Sequence, residues 1–564
     1  MKQENTHTWK LSAVFSLLDR WGLLAIAGFL LAFIPLYPKL PLADILPGYI
    51  VRLRIEDLLI AGASVLWFVQ VIRKKISLST PLTWVVGAYL VVGFLSSLSA
   101  IYWTKTVPMS APHILKMFLH YGRRIEYFSL FFITFSAIQT KSQVKKFLAI
   151  FVISTALVGI YGLGQKYLYW PVYSTMNREF SKGLRLYLTE HARVQSTFGG
   201  HYDYAAFLVI GLPLVLALLF FVKNKKLKLG LAGTFLISLW GMMMTSSRSS
   251  FLAYLAALTT ILVFFAIRKG LIWGVTRMVV CYAVTAVFLM IFGDLLLRFG
   301  QIFKDNSAYT ALQNTVNEAK EKAQTPLVEK PKDAISIDDV ARAAAEAAKR
   351  EKVIDKTDTL PTPVAPVDQV LPPDVYENIP DRVIATTSAE GKEIEVIIPR
   401  VFSENAHRLG LSAAIRLDTL WPFAIRGFLR NPLLGSGYST LTKYTRDQFT
   451  EAESTDNDYL RTLGETGLLG FLTFYGTMVI AMGYLWRKTK VSQDELLYLF
   501  AVVHTAITIG LMINAIYIDV FVSSKVIQTY WILTGMMLAY AKMFSKSDEK
   551  NVVERRTFKK KVRA

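Results

Sequence analysis

The sequence predicts an all-α polytopic integral membrane protein with about twelve transmembrane helices and one large extracytoplasmic loop between helices 9 and 10. Three observations support this fold class. The 564 residues are 53% hydrophobic and have a mean hydropathy of +0.37, whereas a soluble chain of this length would need more polar surface. The apolar residues form runs of roughly 17 to 25 residues with few charges, which is the length of a membrane-spanning helix. Clusters of basic residues separate these runs.

Each apolar run is expected to be a helix, because the backbone inside a bilayer must satisfy its own hydrogen bonds. The period-2 alternation of membrane β-barrels is absent. The first run is too long for a signal peptide and lacks a small-residue cleavage site after it, so we expect it to be retained. The predicted spans are 17–37, 55–72, 81–101, 122–139, 147–167, 202–222, 229–245, 249–267, 271–294, 464–486, 495–518 and 524–543.

The charge distribution predicts the orientation of these helices. The formal net charge is +21, and the basic residues are clustered at 73–75, 141–146, 223–228, 268–269, 487–490 and 542–563. Counting the spans in order places every cluster on the same side as the N-terminus. By the positive-inside rule both termini, with the basic tail 544–564, are expected in the cytoplasm, and the chain in the cytoplasmic (inner) membrane. Proximity to anionic membrane lipid explains the tail better than binding to nucleic acid does.

The composition changes between the nine helices of 1–294 and the three of 464–543. Within the intervening loop, 295–463, residues 314–352 are rich in Ala, Glu and Lys, and 357–373 are rich in Pro and Val. We therefore expect 301–400 to be a spacer or a partly disordered insertion, with a short strand near 393–401. We expect the functional residues of the loop in 403–463.

The single cysteine and the absence of a visible repeat argue against disulfide-stabilised, zinc-binding and repeat-built transporter proteins. Cys281 is the one cysteine in the chain, so no internal disulfide and no cysteine-based zinc site is predicted. The sequence predicts no cofactor and no metal ion. The absence of a visible internal repeat weakens a secondary-transporter interpretation.

The first of four polar stretches at the extracytoplasmic ends of the spans is 244–250, which contains Arg248 among serines. An arginine at bilayer depth costs roughly 2.5 to 3.5 kcal/mol and usually faces a bundle interior or a cavity. The alternative is an interfacial anchor whose charge reaches the headgroups.

The second stretch, 196–204, precedes the sixth span. Its paired glycines, Gly199 and Gly200, allow a tight turn, and His201 and Asp203 then lie at the membrane surface. The alternative is a simple helix start capped by Asp203.

The third stretch, 415–439, has apolar residues at helical spacing, and the turn residues Asn431-Pro432 and Gly435 end the predicted helix. It predicts an amphipathic helix on the outer surface with Arg416, Arg426 and Arg430 on its polar positions. The alternative is a plain interfacial helix.

The fourth stretch, 454–470, carries Asp456, Asn457 and Asp458 ahead of the tenth span, with Glu465 at the start of that span. Thr455 or Asp456 is predicted to cap the helix. The carboxylates are either solvated loop charges or include a base at the mouth of the bundle.

The third and fourth stretches together resemble the signature region of the O-antigen ligase and O-antigen polymerase superfamily. That signature is similar to "R…W..A…..P..G.G" followed by "(H/D)N.YL..L.E.G..G". The matching residues here are Arg416, Trp421, Ala424, Pro432, Gly435, Gly437, Asp456, Asn457, Tyr459, Leu460, Leu463, Glu465, Gly467 and Gly470. The second stretch resembles the "TFG.P/HY" element of the family and the first its "SR" turn, so the resemblance covers about 196 to 520.

This resemblance implies an inverting, metal-independent membrane glycosyltransferase. Such an enzyme takes a glycan from a polyprenyl-pyrophosphate carrier at the outer face of the inner membrane and passes it to a lipid, glycan or protein hydroxyl. A pyrophosphate leaving group needs fixed positive charge, which Arg248 and Arg416 would supply. Arg426, Asn457 and Asp458 are the further candidates for substrate binding.

One position departs from the family pattern. Ligases of the family usually carry His before the Asn of the fourth motif, whereas this chain has Asp456. An aspartate is an effective base near neutral pH only where burial raises its pKa. His201 is a substitute base if the second and fourth stretches meet, and Asp458 and Glu465 are further candidates. The departure favours polymerase-like or uncharacterised members of the superfamily over ligases.

A lipid-linked oligosaccharide flippase or another transporter is the alternative function. A flippase is expected to place charges along a path through the bundle, whereas the candidate residues here lie at one face. Arg124 and Glu126, at the start of the fourth span, are the exception, and we expect them to pair with each other.

Overall fold

The computed structural model describes residues 21–46, 52–176, 180–189, 192–295, 327–328, 382–387, 393–398, 405, 411–441 and 454–544. Within these ranges the chain is mostly helical, and it has the all-α polytopic architecture that the sequence predicts. The first nine long helices are α1 Leu23–Leu36, α2 Ile55–Ile72, α3 Thr83–Tyr102, α4 Ala111–Ala137, α5 Lys141–Tyr167, α6 His201–Phe221, α7 Lys225–Met244, α8 Arg248–Lys269 and α9 Leu271–Ile291.

After α9, the described residues form one more helical segment and then three long helices. The segment, α10, consists of Leu411–Ala414, a π-helical part Ile415–Leu420, and Trp421–Arg430. The long helices are α11 Asp458–Val491, α12 Glu495–Asn514 and α13 Ser524–Lys542. Nine of the helices in the described ranges are long and apolar enough to cross a membrane, namely α2, α3, α5, α6, α7, α8, α9, α11 and α12.

Every predicted span overlaps one of the twelve long helices of the described residues, but α4, α5, α7 and α11 each begin at least four residues earlier than predicted. Helix α11 begins at Asp458 rather than at 464. Helix α4 begins at Ala111 rather than at 122. The added part of α4 contains polar residues, which a search for apolar runs excludes, and it buries Met117 in a small cluster with Tyr438. The added turns of α4 and α11 contact other parts of the protein, as Met117 does with Tyr438 and Asp458 with Phe521.

Strand pairing is limited to short hairpins in the described residues. Strands β1 Ala43–Asp44 and β2 Arg52–Leu53 form one antiparallel pair. In the long loop, β3 Arg382–Thr387 pairs antiparallel with β4 Glu393–Ile398, and Arg382 is opposite Ile398. The short strand expected near 393–401 is thus present as β4. The remainder of the predicted insertion 301–400, apart from 327–328, and the tail 545–564 lie outside the described residues, as do 1–20.

The centre of the bundle is formed by α6 and α13, whose side chains are buried on nearly all sides. Helix α6 packs against α7, α8 and α12, and α13 packs against α4. Helix association inside a bilayer depends on close packing around small residues. Gly510 of α12 is such a residue, since an added Cβ would lie 2.8 Å from Val209 and 3.1 Å from the Ala253 carbonyl oxygen.

The bundle has two chemically different ends. At one end, which includes the α4–α5 and α11–α12 connections, Lys141 Nζ lies 3.1 Å from a carboxylate oxygen of Asp494 and Lys488 Nζ donates to the Phe544 carbonyl at 2.9 Å. Three of the basic clusters that the sequence places on one side, 141–146, 487–490 and 542–563, are in contact there. The opposite end is called the site end; it holds the starts of α2, α4, α6, α8, α11 and α13.

Candidate functional site

The second, third and fourth polar stretches contact the loop 515–523, which connects α12 to α13 at the site end. The Ala515 carbonyl accepts a hydrogen bond from the Asp458 backbone N–H at 2.9 Å, and the Phe521 N–H donates to the Asp458 carboxylate at 2.9 Å. On the other side of the loop, Ser523 Oγ donates to Asp203 at 2.8 Å. The loop 515–523 therefore joins the second stretch to the fourth.

Arg416 and Asp456 form an ion pair at this loop. Arg416 Nη2 lies 2.8 Å from Asp456 Oδ2, and the guanidinium carbon lies 4.4 Å from the centre of the Tyr517 ring. Arg416 Nη1 donates to the Ser412 carbonyl at 2.5 Å and to its hydroxyl at 2.6 Å. A charged pair held by these additional contacts brings the third and fourth stretches into one site.

The prediction that Arg416 lies on the polar outer face of a surface helix is wrong, since its side chain is only 8% exposed. The helix and its end after Arg430 are as predicted. Arg416 lies in the π-helical part of α10, where a turn holds more residues than in an α-helix, so α-helical spacing misplaces it. Single π-helical turns occur often at functional sites.

Asp456 stands at the turn before α11 with a φ of 49°, a left-handed conformation that aspartate tolerates better than most residues. Burial raises the pKa of its carboxyl group above the ordinary value; Arg416 opposes this effect and Asp519 adds to it. This is the direction that an aspartate base requires.

Asp519, in the loop 515–523, fixes the turn before α11. Its carboxylate accepts from the Thr455 N–H at 2.9 Å, from the Asn457 N–H at 3.0 Å and from Arg461 Nη1 at 2.8 Å. Sequence reasoning missed this residue. It stands in a short connection between two apolar runs, and the partners that define its role are 58 to 64 positions away.

Asn457 and Asp458, predicted as substrate-binding residues, have partners within the protein. The Asn457 side chain accepts from the Leu460 N–H at 3.0 Å and caps α11, so the expectation that Thr455 or Asp456 is the cap is wrong. Asp458 is 1% exposed and bonded to Phe521. Their contacts position the helix start next to Asp456.

A buried charge network lies beside the Arg416–Asp456 pair. Arg461 Nε lies 3.3 Å from Glu465, and Arg124 Nη2 lies 3.7 Å from the other carboxylate oxygen of Glu465. The expected pairing of Arg124 with Glu126 is wrong, because Glu126 instead contacts Arg123 at 3.0 Å.

A small polar cavity, with room for about one water molecule, is lined by Tyr89, Arg124, Tyr438, Asp458, Arg461, Thr462, Glu465, Thr466, Phe474 and Phe521.

The glycines of the third and fourth stretches form a backbone joint between α10 and α11. Helix α11 is interrupted at Gly467, where φ is 67° and ψ is −169°. The interruption exposes backbone groups on both sides: Leu468 N–H donates to the Pro432 carbonyl at 2.8 Å, and the Glu465 carbonyl accepts from Gly437 N–H at 2.9 Å. Residues 431–437 are thereby hydrogen-bonded to α11 around its interruption. These bonds fix the positions of Glu465 and Asp456 relative to α10.

His201 lies in a different set of contacts from Asp456. Its Nε2 is 2.7 Å from Arg193 Nη1, and its ring centre is 4.1 Å from that of Tyr202. Asp456 makes its side-chain bonds with Arg416 and with Ser454, so His201 is not a hydrogen-bond partner of Asp456.

Asp203 does not cap α6. Its carboxylate pairs with Lys39 at 2.9 Å and accepts from Ser523, while no side chain caps that helix. The predicted helix cap is therefore wrong, and Asp203 instead links the end of α1 to the loop 515–523.

The two remaining arginines of the prediction occupy different surroundings. Arg248 is the first residue of α8 and is half-buried; two residues later Ser250 Oγ accepts from Asn514 Nδ2 at 3.0 Å, at the end of α12. Arg248 is thus placed at the same end of the bundle as Asp456. Arg426 is exposed on α10, with its guanidinium 4.3 Å from the ring centre of Phe423.

Comparison of the sequence with models of known protein families and with curated proteins found no match. In the part of the chain that the structure describes, no group of three or more His, Cys, Asp or Glu side chains is arranged to hold a metal ion. The charged groups of the site are therefore best understood from their own geometry.

Proposed function

We propose that this protein is a membrane glycosyltransferase that moves a glycan from a polyprenyl-pyrophosphate carrier to an acceptor hydroxyl, as an O-antigen ligase or polymerase does. The observation that carries the proposal is the Arg416–Asp456 pair, 2.8 Å apart, formed between the two stretches whose residues resemble that superfamily. A cation and an acid–base group side by side are the two elements that this transfer requires.

Arg416 is the proposed binding group for the pyrophosphate. Guanidinium stays charged at any relevant pH and offers planar paired donors to phosphate oxygens. One of its buried donors, Nε, has no hydrogen-bond partner among the described residues. Arg248, at the same end of the bundle, and Arg426, on the exposed face of α10, are proposed as additional contacts with the anionic donor.

Asp456 is the proposed base. As the acceptor oxygen bonds to the anomeric carbon, its proton passes to Asp456 and the bond from that carbon to the pyrophosphate oxygen breaks. The electron pair of the broken bond leaves on the pyrophosphate, where positive charge stabilises it. Attack opposite to the leaving group inverts the anomeric configuration.

The site end is proposed to face the outside of the cytoplasmic membrane. The opposite end gathers the basic residues Lys141, Arg268 and Lys488, and the positive-inside rule places such an end in the cytoplasm. The partners are then a lipid-linked glycan donor in the outer leaflet, membrane lipid, and a glycan, lipid or protein acceptor.

The test is a transfer assay with the full chain in nanodiscs and a polyprenyl-pyrophosphate oligosaccharide as donor. Release of polyprenyl pyrophosphate and the size of the glycan product are followed. A ladder of lengthening products identifies a polymerase, and a single addition to a separate acceptor identifies a ligase. Folded protein that releases no carrier from its native donor contradicts the proposal and favours transport.

Arg416→Ala and Arg248→Ala are each expected to lower the transfer rate by at least about 100-fold, since each removes positive charge that stabilises the leaving group. Arg416→Lys keeps the charge but loses the paired donors, so we expect an intermediate loss. Arg430→Ala, an exposed arginine at the end of α10, is the control and should retain wild-type activity. Wild-type rates in a folded Arg416→Ala protein would remove Arg416 from the mechanism.

A further inference from the structure

The turn before α11 contains a second carboxyl group close to Asp456, joined to it by one hydroxyl. Ser454 Oγ lies 2.5 Å from Asp456 Oδ1 and 3.0 Å from Asp519 Oδ2. It also accepts a hydrogen bond from the Asp456 backbone N–H at 3.2 Å. A serine hydroxyl carries one proton, so it donates to only one of the two carboxyl groups.

The number of protons in the turn decides whether the second contact of Ser454 Oγ is also a hydrogen bond. If both carboxyl groups were ionised, one of the two oxygen–oxygen contacts would join lone pairs only, which is unfavourable in a partly buried site. One added proton removes this conflict: Asp456, protonated on Oδ1, donates to Ser454 Oγ and still accepts from Arg416 through Oδ2, and Ser454 donates to Asp519. Asp519 is the better site for the charge, because it accepts two backbone N–H groups and one guanidinium N–H.

We propose that Asp456, Ser454 and Asp519 form one acid–base unit that holds a single shared proton, with Asp519 as the positioning residue that sets when Asp456 becomes a base. The proposal rests on the proposed glycosyl transfer for its role in the rate, but the shared proton itself does not depend on that function.

The charged groups around Asp456 come from three elements. Arg416 of α10 favours its ionised form, Asp519 of the loop 515–523 opposes it, and Arg461 of α11 favours it. Asp519 and the burial of the site are thus the influences that keep the proton on Asp456. The transfer rate is expected to rise with pH as Asp456 loses this proton, because ionised Asp456 can then accept the proton of the acceptor hydroxyl.

Asp519→Asn tests the unit through the pH profile. Removing the charge of Asp519 lowers the pKa of Asp456, so the acid limb of the rate profile moves to lower pH and the rate at its plateau falls, as expected for a weaker base. A loss of stability alone would lower activity without moving the acid limb. Asp418→Asn, which removes an exposed aspartate of α10, is the control and should leave the limb in place.

Infrared difference spectroscopy tests the shared proton without any transfer assay. Full-length wild-type protein in nanodiscs is expected to show a protonated carboxyl band that disappears in Asp456→Asn and shifts to higher frequency in Ser454→Ala, where the hydroxyl partner is lost. Ser454→Thr keeps a hydroxyl and should keep the wild-type band.

The outcomes separate the two proposals. If the wild-type protein shows the protonated carboxyl band but transfers no glycan, the result would contradict the proposed function and support the acid–base unit. Transfer with an unshifted acid limb in folded Asp519→Asn would overturn the unit and leave the proposed function in place. If Asp519→Asn does not fold, the band in Ser454→Ala decides, and an unchanged band there overturns the unit.

Discussion

At the scale of single residues, the structure distinguishes between the two candidate bases. Asp456 is bonded to Arg416, the cation proposed for the leaving group, whereas His201 is bonded to Arg193. A base must reach the acceptor proton while the leaving group is held nearby. The geometry at Asp456 meets this requirement, because Asp456 Oδ2 lies 2.8 Å from Arg416 Nη2.

Asp456→Asn is therefore expected to lower the transfer rate by about 100-fold or more, since an amide cannot take the proton. His201→Gln, which keeps a hydrogen-bonding side chain near Arg193, should retain most of the activity. The measurement is carrier release by both variants under the same donor concentration. Full activity in Asp456→Asn together with loss in His201→Gln would reverse the assignment.

The residues that sequence reasoning found and those it missed differ in a physical way. Arg416 and Asp456 were recognisable because they occupy charged positions of the two stretches that resemble the superfamily signature. Asp519 gave no such signal, because its importance depends on N–H groups of a turn that is distant in sequence. Burial of Arg416 was also unpredictable, since a π-helical turn has no reliable sequence pattern.

At the scale of elements, the joint between α10 and α11 depends on glycines. Gly467 occupies a backbone conformation open essentially to glycine alone. Gly435 has a φ of 71°, and an added Cβ would lie 2.6 Å from the Glu465 carbonyl oxygen. The sequence predicted a turn at Gly435 but a continuous helix through Gly467, because apolar residues surround it. The hydrogen bonds from 431–437 stabilise the interruption.

Gly435→Ala and Gly467→Ala are each expected to destabilise the protein by roughly 1–3 kcal/mol from backbone strain alone, with a further cost from the close contacts. Thermal unfolding in detergent is the measurement. Gly483→Ala, in the second half of the same helix, is the matched control, since an added Cβ there meets nothing within 4 Å. It should be neutral or slightly stabilising. Equal melting temperatures for all three variants would contradict the claim that the joint depends on Gly435 and Gly467.

At the scale of the whole molecule, the positions of the helices were predictable and the arrangement of the site was not. Each predicted span overlaps a long helix of the described residues, and nine of these helices are long and apolar enough to cross a membrane. Which helix ends meet at the loop 515–523 depends on packing between distant segments, such as Asp203 with Ser523. The alternation of basic clusters nevertheless predicted that the candidate residues share one end.

The orientation of the site end in the membrane can be tested directly by labelling introduced cysteines. Cys281 is buried and is the one native cysteine, so an introduced cysteine supplies the only readily accessible thiol. Met109→Cys lies at the site end and Lys225→Cys at the basic end, both at exposed positions. In intact cells, or in spheroplasts if an outer barrier is present, a membrane-impermeant maleimide should label Met109→Cys and leave Lys225→Cys unlabelled until the membrane is opened. The opposite pattern would place Arg416 and Asp456 in the cytoplasm, and a glycan donor in the outer leaflet would then be out of their reach.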